Sequence, residues 1–255
     1  MDFRLSKWYL DCVTDTGEAS ILYTGTARWG AFHLNYSSVL ESVGNAVSAR
    51  HSFGAADEPS VAGRSLLWRS DALQVEGEWQ SDSTELRSTV FSSAAGSVEW
   101  HCMMPRARAR IGRREGLGYA ERLVMTVAPW KIPLRTLRWG RFTSASEWVV
   151  WIDWRGEYSR TLVYRNGAEV RTFSLEDAKI EFEDRSQLLM DRSLALREGP
   201  LGSTALSAIP GVRDSVPGRL LQVTECKWRS RARLERCGGE TVEGWAIHER
   251  VEWPE

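Results

Sequence analysis

The feature that most constrains this chain is a repeated alternation. Short runs of apolar and polar residues follow one another at period two, cut at close intervals by Gly, Asp, Asn and Ser. A period of two is the signature of a strand with two unlike faces, and evenly spaced short strands with turn residues between them make sandwiches or barrels. Trp8 to Val13 reads as a strand that ends at the Thr14-Asp15-Thr16-Gly17 turn. Ile21 to Trp29 reads as its return, and Ala31 to Tyr36 as a third strand after the Trp29-Gly30 break. Ser65 to Ser70, Ala72 to Trp79, Glu85 to Ser92 and Ser97 to Met103 continue the series, and Ser174 to Arg197 reads as strands too. Cys226 to Arg236 and Thr241 to Val251 form a closing hairpin around Cys237-Gly238-Gly239-Glu240. Helix is expected in two places. Ser37 to Arg50 is Ser/Ala/Val-rich with Gly44 as a weak point, and a short turn of helix is expected near Thr204 to Ala208, inside a Pro- and Gly-containing loop from Gly199 to Gly218.

The fold class expected is therefore all-β. The 255 residues suit one large domain or two small ones. Charge and glycine gather at Arg113-Arg114-Glu115-Gly116-Leu117-Gly118, which divides the chain into units 1–114 and 115–255, each with its own strands. A loose echo, Trp8 to Asp11 to Gly17 and Trp151 to Asp153 to Gly156, hints at duplication.

Composition enters where it limits function. The 33 basic and 34 acidic residues nearly cancel, which gives no general attraction to nucleic acid or a membrane surface. No apolar run reaches the ~18 residues of a spanning helix. Residues Met1 to Lys7 carry an early acid and no apolar stretch, so a cytoplasmic location is expected. The four cysteines lack metal-ligand spacing and are expected as buried thiols, with no metal site. Thirteen tryptophans stand out. They fit either a Trp-rich packed core or an aromatic ligand cavity.

Period two sorts the densest aromatic stretch into faces. Leu117, Tyr119, Glu121, Leu123 and Met125 share a side. Leu137, Trp139 and Arg141 share another, as do Val149, Trp151 and Asp153. Each apolar, aromatic side thus carries one charge, which must be paired, hydrogen-bonded or neutral if it is buried. On one reading Arg141 bridges Glu121 or Asp153 and locks the barrel. On the other, Glu121 or Asp153 is an acid kept protonated by its apolar walls, ready to donate a proton while Trp and Tyr faces steady a transient cation. Glu249 is a further candidate for an inward polar group, or an exposed carboxylate on a solvated last strand. Arg106, Arg108 and Arg110, and again Arg229, Arg231 and Arg233, alternate on strand faces. They could track phosphates, or form solvated outer faces with nearby acids; the balanced charge favours the second, with no nucleic-acid partner.

Two short elements resemble a known family. Lys7-Trp8-Tyr9-Leu10-Asp11 with its Asp15-Thr16-Gly17 turn, and Gly116-Leu117-Gly118-Tyr119-Ala120-Glu121, are similar to elements of the lipocalin-like hydroxyneurosporene synthase (carotenoid 1,2-hydratase) superfamily, which has tocopherol cyclase-like relatives. The family's continuation into a Trp-Gly is replaced here by Arg122-Leu123-Val124. The resemblance implies two calycin-type antiparallel barrels and a hydrophobic small-molecule substrate of isoprenoid or polyketide type. It also implies hydration, cyclisation or isomerisation without metal or organic cofactor. Glu121 takes the place of the family's acid and Asp153 is the second choice. Arg141 would orient the acid, and Tyr119, Trp139 and Trp151 would line the pocket. A non-catalytic carrier of a hydrophobic ligand, or a fully packed interaction protein, would use the same fold. No stable membrane insertion is expected, and either a monomer or a homodimer is.

Overall fold

The structure is a computed structural model that describes residues 3–54, 56–81, 83–209, 211 and 216–254. Strand dominates it, and the expected all-β fold of two lipocalin-like barrels is observed as two curled antiparallel sheets. Among the described residues the first sheet has ten strands: β1 (Phe3–Val13), β2 (Ala19–Trp29), β3 (Phe32–Val43), β4 (Ala46–Ser52), β5 (Ser60–Ala62), β6 (Ser65–Ser70), β7 (Val75–Ser81), β8 (Leu86–Ser93), β9 (Gly96–Ile111) and β10 (Arg114–Met125). Their order is β4-β3-β2-β1-β10-β9-β7-β6-β5, with β8 also on β9. The second sheet holds β11 (Leu134–Thr143), β12 (Trp148–Gly156), β13 (Arg160–Arg165), β14 (Ala168–Glu169), β15 (Thr172–Leu175), β16 (Lys179–Phe182), β17 (Gln187–Met190), β18 (Leu194–Pro200), β19 (Thr224–Glu235) and β20 (Thr241–Glu252). Its order, β14-β13-β12-β11-β20-β19-β17-β16-β15 with β18 on β19, repeats the first strand for strand. The duplication is thus real, but β1 corresponds to β11. The Trp151 echo lies on β12 and is not its counterpart. By register the counterparts are Gly118-Tyr119-Ala120 opposite Asp11, and Gly244-Trp245-Ala246 opposite Thr143.

Three expectations are corrected. Ser37 to Arg50 is not helical. It is the β3–β4 hairpin, paired from Ser37↔Ser52 to Val43↔Ala46 around a two-residue Gly44-Asn45 turn. Gly44 sits at φ +56, a conformation suited to the first central position of a tight hairpin turn, so the residue that would weaken a helix makes this turn. Residues 204–208 form turns, and the short helix of this region is Gly218–Leu221. The Arg113-Arg114 segment is not a joint. It opens β10, which pairs with β1 from Leu5↔Met125 to Val13↔Leu117, and the two compact units are Met1–Ile132 and Pro133–Glu255. A cut after residue 114 would strip the first sheet of a central strand.

One face of each sheet carries an apolar interior. In the first unit Trp8, Trp68 and Trp79 pack with Leu10, Leu22 and Leu66. The Trp79 indole N–H donates to the Asp11 carbonyl at 2.7 Å, which ties β7 to β1 across that interior. In the second, Trp151 packs with Phe142, Phe182 and Leu188. Cys12 and Cys102 are buried thiols as expected, but Cys226 is half-buried and Cys237 is exposed. Among the described residues no helix is long and apolar enough to cross a membrane.

Candidate functional site

Strand parity decides where each candidate side chain lies. In the first unit Trp8, Leu10 and Cys12 of β1 and Ala120 of β10 belong to the interior cluster. Tyr9, Asp11, Tyr119 and Glu121 therefore stand on the opposite face, which is also buried: Tyr119 and Asp11 have no exposed surface. The expectation that Tyr119 and Glu121 share a face holds. That face is not the oily interior.

Register brings the four together. Tyr9 lies opposite Glu121 and Asp11 opposite Tyr119, so the two tyrosines and the two carboxyls occupy the diagonals of one cross-strand square. Each tyrosine donates to the carboxyl two residues along its own strand: Tyr9 to Asp11 Oδ2 at 2.9 Å, and Tyr119 to Glu121 Oε2 at 2.6 Å. The Tyr9 ring meets Tyr119 edge-on at 5.9 Å and Tyr23 at 5.3 Å, and Lys7 Nζ lies 4.7 Å over the Tyr23 ring. Bulges between β9 and β10, from Gly118 to Glu121, set Cys102 directly opposite Glu121 and swing Trp100 onto this face. The Trp100 indole N–H donates to Glu121 Oε2 at 2.5 Å. Two donors thus converge on one oxygen of a half-buried carboxyl group. Burial, reinforced by the neighbouring Cys102 and Glu121, pushes the Tyr119 hydroxyl well above the usual tyrosine value, so it stays a donor. Burial likewise raises the Cys102 thiol.

The second unit separates residues that the sequence put in one pocket. Trp151 belongs to the interior, and Asp153, two residues on, shares that face. Arg138, not Arg141, lies opposite Asp153, whereas Arg141 lies opposite Val150 and Trp139 opposite Ile152. Arg141 and Trp139 are therefore on the other face of the sheet. Arg141 does not bridge or orient Asp153, and Trp139 and Trp151 do not line one wall. Both faces of β11 and β12 are buried, so alternation alone could not say which charge met which. Asp153 is held by Arg155 at 2.8 Å, the Thr161 hydroxyl at 2.7 Å and Arg138 at 3.7 Å. Arg141, fully buried, donates to Thr143 Oγ1 at 2.8 Å and to the Trp245 carbonyl at 3.2 Å.

Glu249 lies opposite Trp139, on the face away from the interior, where it is half-buried and carries an ion pair with Lys227. Lys227 lies 5.5 Å from the Trp139 ring and 3.8 Å from Glu225, which in turn meets Arg197 at 3.4 Å. This buried row continues to Arg229, over the Trp245 ring at 5.3 Å. Beyond it Arg231 and Arg233 turn to solvent and pair with Glu243 and Glu235. In the first unit Arg110 pairs with Glu78 at 3.0 Å. Arg110, Arg231 and Arg233 thus stand on solvated outer faces with local acids, whereas Arg229 is buried.

Sequence reasoning missed Asp11, Tyr9 and Trp100. The signal for the first two was present in the Tyr9-Leu10-Asp11 spacing, which mirrors Tyr119-Ala120-Glu121. Nothing in the sequence marks Trp100, because a bulge decides its face.

No protein-family model matches the sequence, and no curated protein matches it. Solved structures do. CghA aligns with a TM-score of 0.60 at 11% identity, covering 99% of this chain and 88% of its own. An AttH protein from Nitrosomonas europaea aligns at 0.56 with 10% identity over 97% and 92% of the two chains. Kievitone hydratase from Nectria haematococca aligns at 0.54 with 10% identity over 97% and 88%. Along nearly its whole length, this chain shares its two-sheet lipocalin-like fold with CghA, AttH and kievitone hydratase.

Proposed function

We propose that this protein is a cofactor-free enzyme acting on a hydrophobic small molecule of isoprenoid or polyketide type, and that Glu121 starts hydration, cyclisation or isomerisation by giving up a proton. The observation that carries this reading is the pair of donors on Glu121 Oε2, Tyr119 and Trp100. An acid is a better catalyst when the anion it leaves behind is stabilised, and these donors are already aimed at that anion. Tyr9, Tyr23 and Tyr119 offer aromatic faces beside the proton, suited to a transient cation. Hydration needs a second group to take the proton of the attacking water. Asp11, on the diagonal of the square at roughly 7–8 Å, is that group in this proposal. Asp153, held by two arginines and a hydroxyl, acts as a structural anion. Two namesakes of the fold support the class: one is a kievitone hydratase, and CghA has been crystallised with Sch210972.

The test begins with native mass spectrometry of the purified protein, to find a bound lipid or polyketide as the substrate lead. With that molecule, Glu121→Gln is expected to lower turnover by ~10²–10⁴-fold while affinity stays nearly constant. Loss of affinity and folding together would make Glu121 a structural partner only. Tight binding with no turnover by the wild type would make the protein a carrier.

A further inference from the structure

Burial changes in one direction along the face that carries Tyr9, Asp11, Tyr119 and Glu121. Asp11 and Tyr9 of β1 are buried, and so are Ile21 and Tyr23, which lie opposite them on β2. Two and four residues before Tyr9, on the same side of β1, Lys7 and Leu5 are half-buried. Their partners Gly25 and Ala27 on β2 and Leu123 on β10 are half-buried too, as Glu121 is. Glu121 is therefore approached from the Lys7 end of this face, across an apolar shelf of Leu5, Ala27 and Leu123.

Lys7 is the one charged residue among those on that approach. It lies opposite Leu123 while Tyr9 lies opposite Glu121, so Lys7 and Glu121 are diagonal neighbours, at a spacing of roughly 7–8 Å. Lys7 Nζ stands 4.7 Å over the Tyr23 ring. Tyr23 meets Tyr9 edge-on and is one of the rings suited to a transient cation, and a second positive charge on that ring is repelled by the ammonium. A substrate that brings an anionic group to Lys7 cancels the repulsion and leaves the ring faces to the developing cation. A neutral substrate leaves the repulsion in place.

We propose that Lys7 is the specificity-determining residue of this site and selects a substrate whose apolar chain carries an anionic oxygen group, a carboxylate or an acidic enol. The proposal rests on Glu121 as the proton donor. The anion sits at Lys7, the chain lies on the Leu5, Ala27 and Leu123 shelf, and the alkene to be protonated lies one diagonal away, at Glu121.

The experiment is calorimetric titration of the full-length protein with farnesoate and, separately, with the neutral alcohol farnesol. The acid is expected to bind at least about 10-fold more tightly than the alcohol, and its affinity to fall with added salt. Lys7→Met and Lys7→Gln, each checked for an unchanged urea midpoint, are expected to bind acid and alcohol alike. Lys7→Arg, which keeps the charge, is expected to restore the preference. Equal binding of acid and alcohol by the wild type, or a preference that survives in Lys7→Met and Lys7→Gln, would overturn the inference and leave the case for Glu121 untouched. Glu121→Gln is expected to keep the preference for the acid. Undiminished turnover in that variant would refute the proton donor and not the anchor, so the two failures are distinct.

Discussion

Single residues show how tightly the first sheet is built. A Cβ on Gly118 would lie 2.4 Å from the Asp11 carbonyl oxygen, 2.6 Å from Ala109 Cβ and 2.9 Å from Trp79 Nε1. The carbonyl is backbone and cannot swing aside, and it is also the acceptor of the Trp79 N–H. Gly118→Ala is expected to cost ~1–3 kcal/mol or more in urea unfolding. Gly44→Ala is the control: nothing lies within 4 Å, so only the φ of +56 resists, at about 1 kcal/mol. Equal midpoints for the two variants would refute the steric argument. His248 makes a second residue-scale case. It is buried in the second unit, and its Nε2 lies 2.8 Å from Ser230 Oγ. That hydroxyl also accepts the Arg192 backbone N–H at 2.9 Å, and one tautomer of the neutral imidazole donates to it while the other accepts from it. Burial lowers the His248 pKa from 6.5 to about 3. Between those values the unfolded chain binds a proton that the folded one does not. Stability from this group is therefore complete above pH 6.5 and is lost as pH falls toward 3, by as much as ~5 kcal/mol. Unfolding of His248→Gln is expected to depend less steeply on pH in that window than the wild type; parallel slopes would rule the effect out.

Elements carry the next level of argument. β10 sits between β1 and β9, and it supplies Tyr119 and Glu121. The expected joint at 114 fell on the β9–β10 turn, because charge and glycine mark hairpin turns as well as linkers. The structural division after Ile132 makes a direct prediction. Co-expressed pieces 1–132 and 133–255 are expected to give soluble β-rich protein, and pieces 1–114 and 115–255 to aggregate. Equal recovery from the two cuts would count against it. The β3–β4 hairpin shows the limit of pattern reading at this scale. Ser, Ala and Val over residues 37–50 fit a weak helix by composition, yet the residues pair with one another and β3 pairs in full with β2. Pairing partners outside the window outweighed local preference.

At the scale of the whole molecule, the repeated strand order explains why one pattern of alternation recurs through both units. By itself the sequence determined the strands, the turns that separate them and the residues that share a side. Those follow from a period of two and from the backbone conformations that Gly, Asp and Asn tolerate, which are local properties. Tyr119 with Glu121, and Trp151 with Asp153, were legible for that reason. Only the tertiary structure decided which side of each sheet became the interior, because both sides are buried and a one-residue alternation looks the same from either. It decided as well that Arg141 and Asp153 stand back to back, that a bulge turns Trp100 toward Glu121, and that Asp11 completes the square. Each of these rests on the register between strands far apart in the chain, and register is a property of pairs of strands.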